Sequence, residues 1–363
     1  MKRLLIVLLL LPLFHTSAYA VGLADQTLSI FDTAQMENGL SGEEREIGGK
    51  IGTDGYNVRA ALSRLWRSFA LKLKERMHEE LGFAAKLLGL VLFCTFSTSV
   101  CTDDKVRGMI EICAVCTAAA LLTGGMDSLV AQTSNAVYRL SDYSKAALPT
   151  VYTAAAASGS VSSAAVGYAQ AVLALDVMMS LSQKAVIPLI YATVSLTLAD
   201  VVFPNPMLTA MGKITKWAAK TLLTAVTLTF TALLGMSSLI STKVDAAAIK
   251  ATRTVISGVL PVVGGMLSDA SAAVLAASSA VLSCIGTFGL IAVCAMCAGP
   301  FAVLTIKTML FKAVAAVAES MQNSRLQQLF TGIGSAVGLL MGLLGANTVM
   351  LFLSIAAAMK VTV

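Results

Sequence analysis

The sequence predicts an all-α fold: a polytopic integral membrane protein with a cleaved signal peptide, a short extracytoplasmic amphipathic helix and about 6–8 membrane helices, one of them broken or re-entrant. Three observations carry this prediction. Of 363 residues, 57% are hydrophobic and only 13% charged, with a mean hydropathy of +0.81; soluble domains carry about 25% charged residues. The chain opens with a basic, then apolar, then small-residue leader. The long apolar C-terminal part is interrupted at GVLPVVGGMLSDA, residues 258–270, where a proline, a Gly-Gly pair and an aspartate fall together.

Residues 1–20 form the leader. Lys2 and Arg3 supply its positive end and Leu4 to Phe14 its apolar stretch. Ala18-Tyr19-Ala20 has the small-x-small form of a cleavage site, which makes Val21 the expected mature N-terminus. An uncleaved anchor is the alternative. Under either reading the segment that follows is delivered across the membrane.

Residues 21–81 make the extracytoplasmic part, and residues 82–363 the polytopic membrane domain. Residues 21–55 are polar and glycine-rich without a sustained period, and read as a flexible lead-in. Over 56–81, Val58, Leu62, Leu65, Phe69, Leu73 and Met77 recur at steps of three and four. Arg59, Arg64, Arg67, Lys72 and Lys74 cover much of the remainder, with Trp66 beside the apolar stripe. Such a basic amphipathic helix is built to lie on a membrane surface or to dock on a partner helix. The net charge of +6 fits membrane lipids as partners better than nucleic acid.

The membrane segments are read at 83–100, 108–124, 185–203, 217–241, a broken 255–283, 284–310 and 332–359, each strong one having the roughly 20 apolar residues that cross a bilayer. The Ala- and Ser-rich stretch 150–175 either spans or is a buried helix. Pro204 and Pro206 stop the segment that ends near Asp200. With six crossings, basic residues number eight on one side, Lys307 among them, and seven on the other, the translocated N-terminal segment apart. That balance leaves orientation open under the positive-inside rule.

Motifs for chemistry mostly eliminate themselves. Cys113-x-x-Cys116 and Cys294-x-x-Cys297 sit in apolar runs with no histidine or acidic cluster to complete a zinc or redox site, and read as helix packing. His78 lies in HEELG, where a zinc protease would need a second histidine and Gly82 stands instead. Gly39-Leu40-Ser41-Gly42 resembles an intramembrane serine motif but falls in the polar lead-in. Gly48-Gly49-Lys50-Ile51 is no phosphate loop. The expectation is a non-enzyme without catalytic residues, metal or cofactor.

Two features remain. Gly334, Gly338 and Gly342 repeat every four residues, which places a smooth stripe on one helix face where another backbone, of this chain or of a second copy in a homo-oligomer, can approach closely. Pro261 with Gly264 and Gly265 breaks the 255–283 segment into two half-helices. Asp269, after Ser268, then either caps the second half or lines a pathway.

Taken together, the chain resembles the stage III sporulation protein AE family of endospore-forming bacteria. The likeness is most specific in ISGVLPVVGGMLSDASAAVLA, residues 256–276, and in the glycine-rich last segment, and KVDAAAIKATRTVISG also fits. It implies a multi-pass protein in the mother-cell-derived outer forespore membrane. Its partners would be other stage III sporulation proteins of a multi-subunit, channel-like complex linking mother cell and forespore, and no catalytic residues come with it. A self-contained small-solute transporter is the competing expectation.

Overall fold

The computed structural model describes residues 33–48, 58–259 and 264–360, with side chains described outside 48, 78–79, 234–276 and 360. The leader and Pro261 lie outside the described residues. Every described regular element is helical. Helices α1 (Thr33–Asn38) and α2 (Gly42–Gly48) precede the long helices α3 (Val58–Val100) and α4 (Asp104–Ala157). Then come α5 (Val161–Leu181), α6 (Ile187–Val202), α7 (Pro206–Val259), α8 (Gly264–Ser320) and α9 (Ser324–Lys360). A π-helical turn, Ser182–Val186, joins α5 to α6. Among the described residues, five stretches are long and apolar enough to cross a membrane: Val58–Val100, Asp104–Ala157, Val161–Val202, Ala277–Ser320 and Ser324–Met359.

The helices are longer than the predicted segments. α3 has 43 residues and α4 has 54, so at 1.5 Å per residue they run about 65 and 80 Å, more than twice a hydrocarbon core of about 30 Å. The basic stretch, from Val58 to residue 81, is therefore the first half of the helix that carries 83–100. Likewise 108–124 continues through the polar residues 125–149 into 150–157. Hydropathy registers only the bilayer, whereas backbone hydrogen bonding continues past it.

The stretch 150–175 is not one segment. At Ser158-Gly159-Ser160 the chain reverses through a left-handed Gly159, φ 98°. The Gly159 N–H donates to Ala156 O at 3.0 Å and the Ser160 N–H to Ala155 O at 3.4 Å, the bond pair of a Schellman C-terminus. The same pair closes α8, from Gln322 N–H to Glu319 O at 3.0 Å and from Asn323 N–H to Ala318 O at 3.0 Å. Asn323 then caps α9, its Oδ1 accepting the Leu326 N–H at 3.1 Å. At FPNP, α6 stops at Val202 as the prolines require, and Pro206 opens α7 with Asn205 Oδ1 accepting the Met207 N–H at 2.9 Å.

The core sits on the α8–α9 hairpin. Phe288, Leu304 and Phe311 from α8 and Phe330, Leu340, Leu343 and Ile355 from α9 are buried. α4, α5, α6 and α7 surround α9, while α3 lies along α8. α3 and α8 run parallel: a Cβ on Gly299 would lie 3.9 Å from Lys72 Nζ, and eight residues further on Lys307 pairs with Glu80. The apolar part of α3 is thus displaced along the axis from that of α8. The ion pair holds Glu80, at the end of the basic stretch, and Lys307 at one depth.

Candidate functional site: the glycine-lined face of α9

Among the described residues, the glycine stripe does not meet a backbone. A Cβ on Gly334 would come 3.3 Å from Phe311 Cβ, but on Gly338 or Gly342 it would meet nothing within 4 Å among the described residues. These two glycines floor an open groove of ≈ 550 Å³ whose other wall is α7, with Lys216, Lys220, Leu223, Thr224, Thr227 and Leu228. A second cavity of ≈ 410 Å³ opens on the α8 side, where Gly334, Ser335 and Gly338 face Thr308, Lys312 and Glu319. A third, of ≈ 380 Å³, lies between α6, α7 and α9, with Asp200, Lys213 and Gln327. The expected tight contact is therefore absent from Gly338 and Gly342 within the described chain, because the nearest helix stands off by the width of its own side chains. Close approach occurs at Gly332, which the periodicity did not single out: a Cβ there would overlap the Thr197 side chain of α6.

The basic helix finds its apolar partner within the chain. Val58, Leu62, Leu65, Phe69 and Leu73 are half-buried, on a helix that packs against α8. Lys72 pairs with Glu43 at 2.9 Å and Arg64 donates to Glu46 O at 3.0 Å. Arg59, Trp66, Arg67 and Lys74 stay exposed, leaving one basic and aromatic face turned outward.

The lead-in is ordered over 33–48, where flexibility was expected. Met36 is fully buried and Leu40 and Ile47 nearly so. The signal was present in Ser41-Gly42-Glu43-Glu44, a capping box. The Ser41 N–H donates to Glu44 Oε2 at 2.8 Å, and the Glu44 N–H reaches back to Ser41 Oγ at 3.5 Å. The serine resembling a protease motif is thus the N-cap of α2. Arg139 of α4 then donates to Glu44 Oε2 at 2.6 Å. Burial works to raise the Glu44 carboxyl, but the bonds from Ser41 and Arg139 prevail and hold its pKa below the usual glutamate range.

Glu111 and Asp200, which lie in or beside apolar stretches, have local roles. Glu111 pairs with Arg325 at 3.3 Å. Asp200 accepts the Thr209 hydroxyl at 2.8 Å and the Asn205 N–H at 3.3 Å, bracing the FPNP turn. At the predicted break, α7 ends at Val259 and α8 begins at Gly264. The chain is already helical from Gly264 to Asp269, so Ser268 and Asp269 do not stand at the N-cap that the capping reading requires. The cysteine pairs carry free thiols, and Cys297 Sγ lies 3.1 Å from Thr348 Oγ1 across the α8–α9 contact.

Comparison with curated proteins and with solved structures finds no match. The family model for stage III sporulation protein AE matches residues 54–362, which takes in α3 to α9, and the chain belongs to that family.

Proposed function

We propose that this sporulation membrane protein is a non-enzymatic component of a multi-subunit, channel-like complex between mother cell and forespore, in the mother-cell-derived outer forespore membrane. The start of α3 would be delivered outside the cytoplasm by the leader. One observation carries the reading: α3 extends well past the thickness of a bilayer core and keeps Arg59, Trp66, Arg67 and Lys74 exposed on that extension. A partner protein is the natural recipient of such a face, since aromatic and arginine anchors dominate protein interfaces. A self-contained small-solute permease is the second reading, favoured by Pro261 and the Gly264-Gly265 pair in an apolar region of the sequence.

A photo-crosslinking amino acid at position 66, introduced in sporulating cells, tests the first reading. The expected product is a covalent adduct to another stage III sporulation protein, identified by mass spectrometry. Adducts to lipid alone, together with solute uptake by vesicles holding only the purified chain, would replace it with the permease.

A further inference from the structure

We propose that the groove between α7 and α9 binds an anionic phospholipid, its phosphate held by Lys216 and Lys220 and one acyl chain lying along Gly338, Gly342 and Ala346. The groove has two chemically different ends. Lys216 and Lys220 stand at its mouth, and with Lys213 they follow the three- and four-residue spacing that puts side chains on one face of α7. Among the described residues, no ion pair is made by any of the three. Beyond the lysines the lining is apolar, because its hydroxyls are turned to their own helices. Thr224 donates to Lys220 O at 2.9 Å, Thr227 to Leu223 O at 2.8 Å and Ser335 to Thr331 O at 2.7 Å.

The surface beside the lysines is aromatic and apolar. Trp217 sits among the lysines with 66% of its surface exposed, and Met211 and Ile214 beside it are exposed too. Tryptophan and lysine together on an apolar helix mark the headgroup level. From Lys216 to Leu228 the groove runs about 18 Å at 1.5 Å per residue, long enough to seat an extended acyl chain. The lysine end decides between occupants, since it asks for an anion, and a groove of ≈ 550 Å³ has room for a single acyl chain behind it. The missing side chains at Gly338 and Gly342 keep that volume open.

The test uses the full-length protein, stripped of lipid in detergent and reconstituted in phosphatidylcholine with or without phosphatidylglycerol. Retained lipid is read by native mass spectrometry and stability by thermal melting. Phosphatidylglycerol should be retained and should raise the melting temperature, and neither inorganic phosphate nor phosphatidylcholine should do so. The double variant Lys216→Gln, Lys220→Gln should bind about thirtyfold more weakly, the loss expected for two lysines at an anionic surface. Gly342→Leu, or Gly342→Val should the first fail to fold, should abolish retention while melting in phosphatidylcholine no lower than the wild type. Equal shifts from both lipids, a shift from inorganic phosphate, or retention in the Gly342 variants would overturn the proposal. So would a wild-type dimer that Gly342→Leu dissociates, since the groove would then seat a helix.

Discussion

The α3–α4 and α8–α9 hairpins are built from stretches that all pass as membrane spans, yet they are used in opposite ways. In the most apolar 18 residues of α8, 78% of positions are buried inside the molecule; in those of α3 only 17% are. Phe288 and Phe330 sit in the protein core, while Phe93 and Phe96 point outward at 68% and 71% exposure. Apolarity places a helix in the bilayer but does not say whether its neighbours are lipid or protein. What distinguishes the two hairpins is side-chain size and polarity on the second face. α8 and α9 carry small residues and a few satisfied polar groups, such as Asn347, which donates to Ser182 Oγ at 3.0 Å. α3 carries large apolar residues on its outer face.

The largest expected effect breaks this contrast most directly. Phe330→Ala should cost about 3–5 kcal/mol, the range for emptying a buried aromatic site. Phe96→Ala should stay within about 0.5 kcal/mol, as for a surface position. Unfolding of both variants in the same detergent measures the difference. Equal losses would mean that the outer face of α3 is covered by protein rather than lipid.

Within α9 itself, two glycines should part company. A side chain at Gly332 overlaps Thr197, so Gly332→Val should destabilise by about 1–3 kcal/mol through overpacking. Gly342 meets nothing, so Gly342→Ala should instead gain about 0.5–1 kcal/mol from helix propensity. Thermal melts of the two decide it. Destabilisation by Gly342→Ala would mean the groove is closed by another part of the chain.

How much of this was legible in the residues differs by feature. The helical membrane class was readable because composition alone excludes a water-covered surface. The helix stop at FPNP was readable because proline acts locally. Helix lengths were not, since Gly124-Gly125 and Pro149 look like breaks in a one-dimensional profile but are carried inside α4 by its neighbours. Gly334, Gly338 and Gly342 were found by spacing, but spacing names a face without saying what stands opposite. The α2 capping box was readable at Ser41 and Glu44 and was passed over because the surrounding glycines suggested flexibility.

The docked lead-in ties the two hairpins together, because α2 touches α3, α4 and α8, and it offers a pH test. The Glu44 carboxyl has a folded-state pKa below its unfolded value of 4.5. Its contribution is therefore full above that pH and is lost as the pH falls through the folded-state value. Glu44→Gln should weaken docking of α2 by about 1–2 kcal/mol at neutral pH, in line with a charged hydrogen bond, and should remove the acid dependence. Trypsin cleavage after Arg45 at neutral pH, compared between wild type and variant, reads the first effect. Hydrogen exchange over α2 as the pH is lowered reads the second. A wild-type protein whose α2 protection is flat through the acid range would show that Arg139 and Ser41 do not hold the carboxylate.

The smallest effect concerns the two reversals that end α4 and α8. Both are Schellman turns, but the left-handed position is Gly159 in one and Gln322, φ 59°, in the other. A side chain in that region costs roughly 1 kcal/mol because its Cβ crowds the following carbonyl. Gln322 is exposed, so its side chain offers little packing to offset the strain. Gln322→Gly should stabilise the α8–α9 hairpin by up to about 1 kcal/mol, less whatever backbone freedom glycine adds to the unfolded chain. Gly159→Ala should destabilise the α4–α5 turn by a similar amount. The pair is best read by hydrogen exchange over 318–323 and 154–160, since global melting dilutes a change at one turn. If Gln322→Gly lowers protection of the Asn323 amide, entropy outweighs strain at that turn and the tight closure of the central hairpin depends on the glutamine.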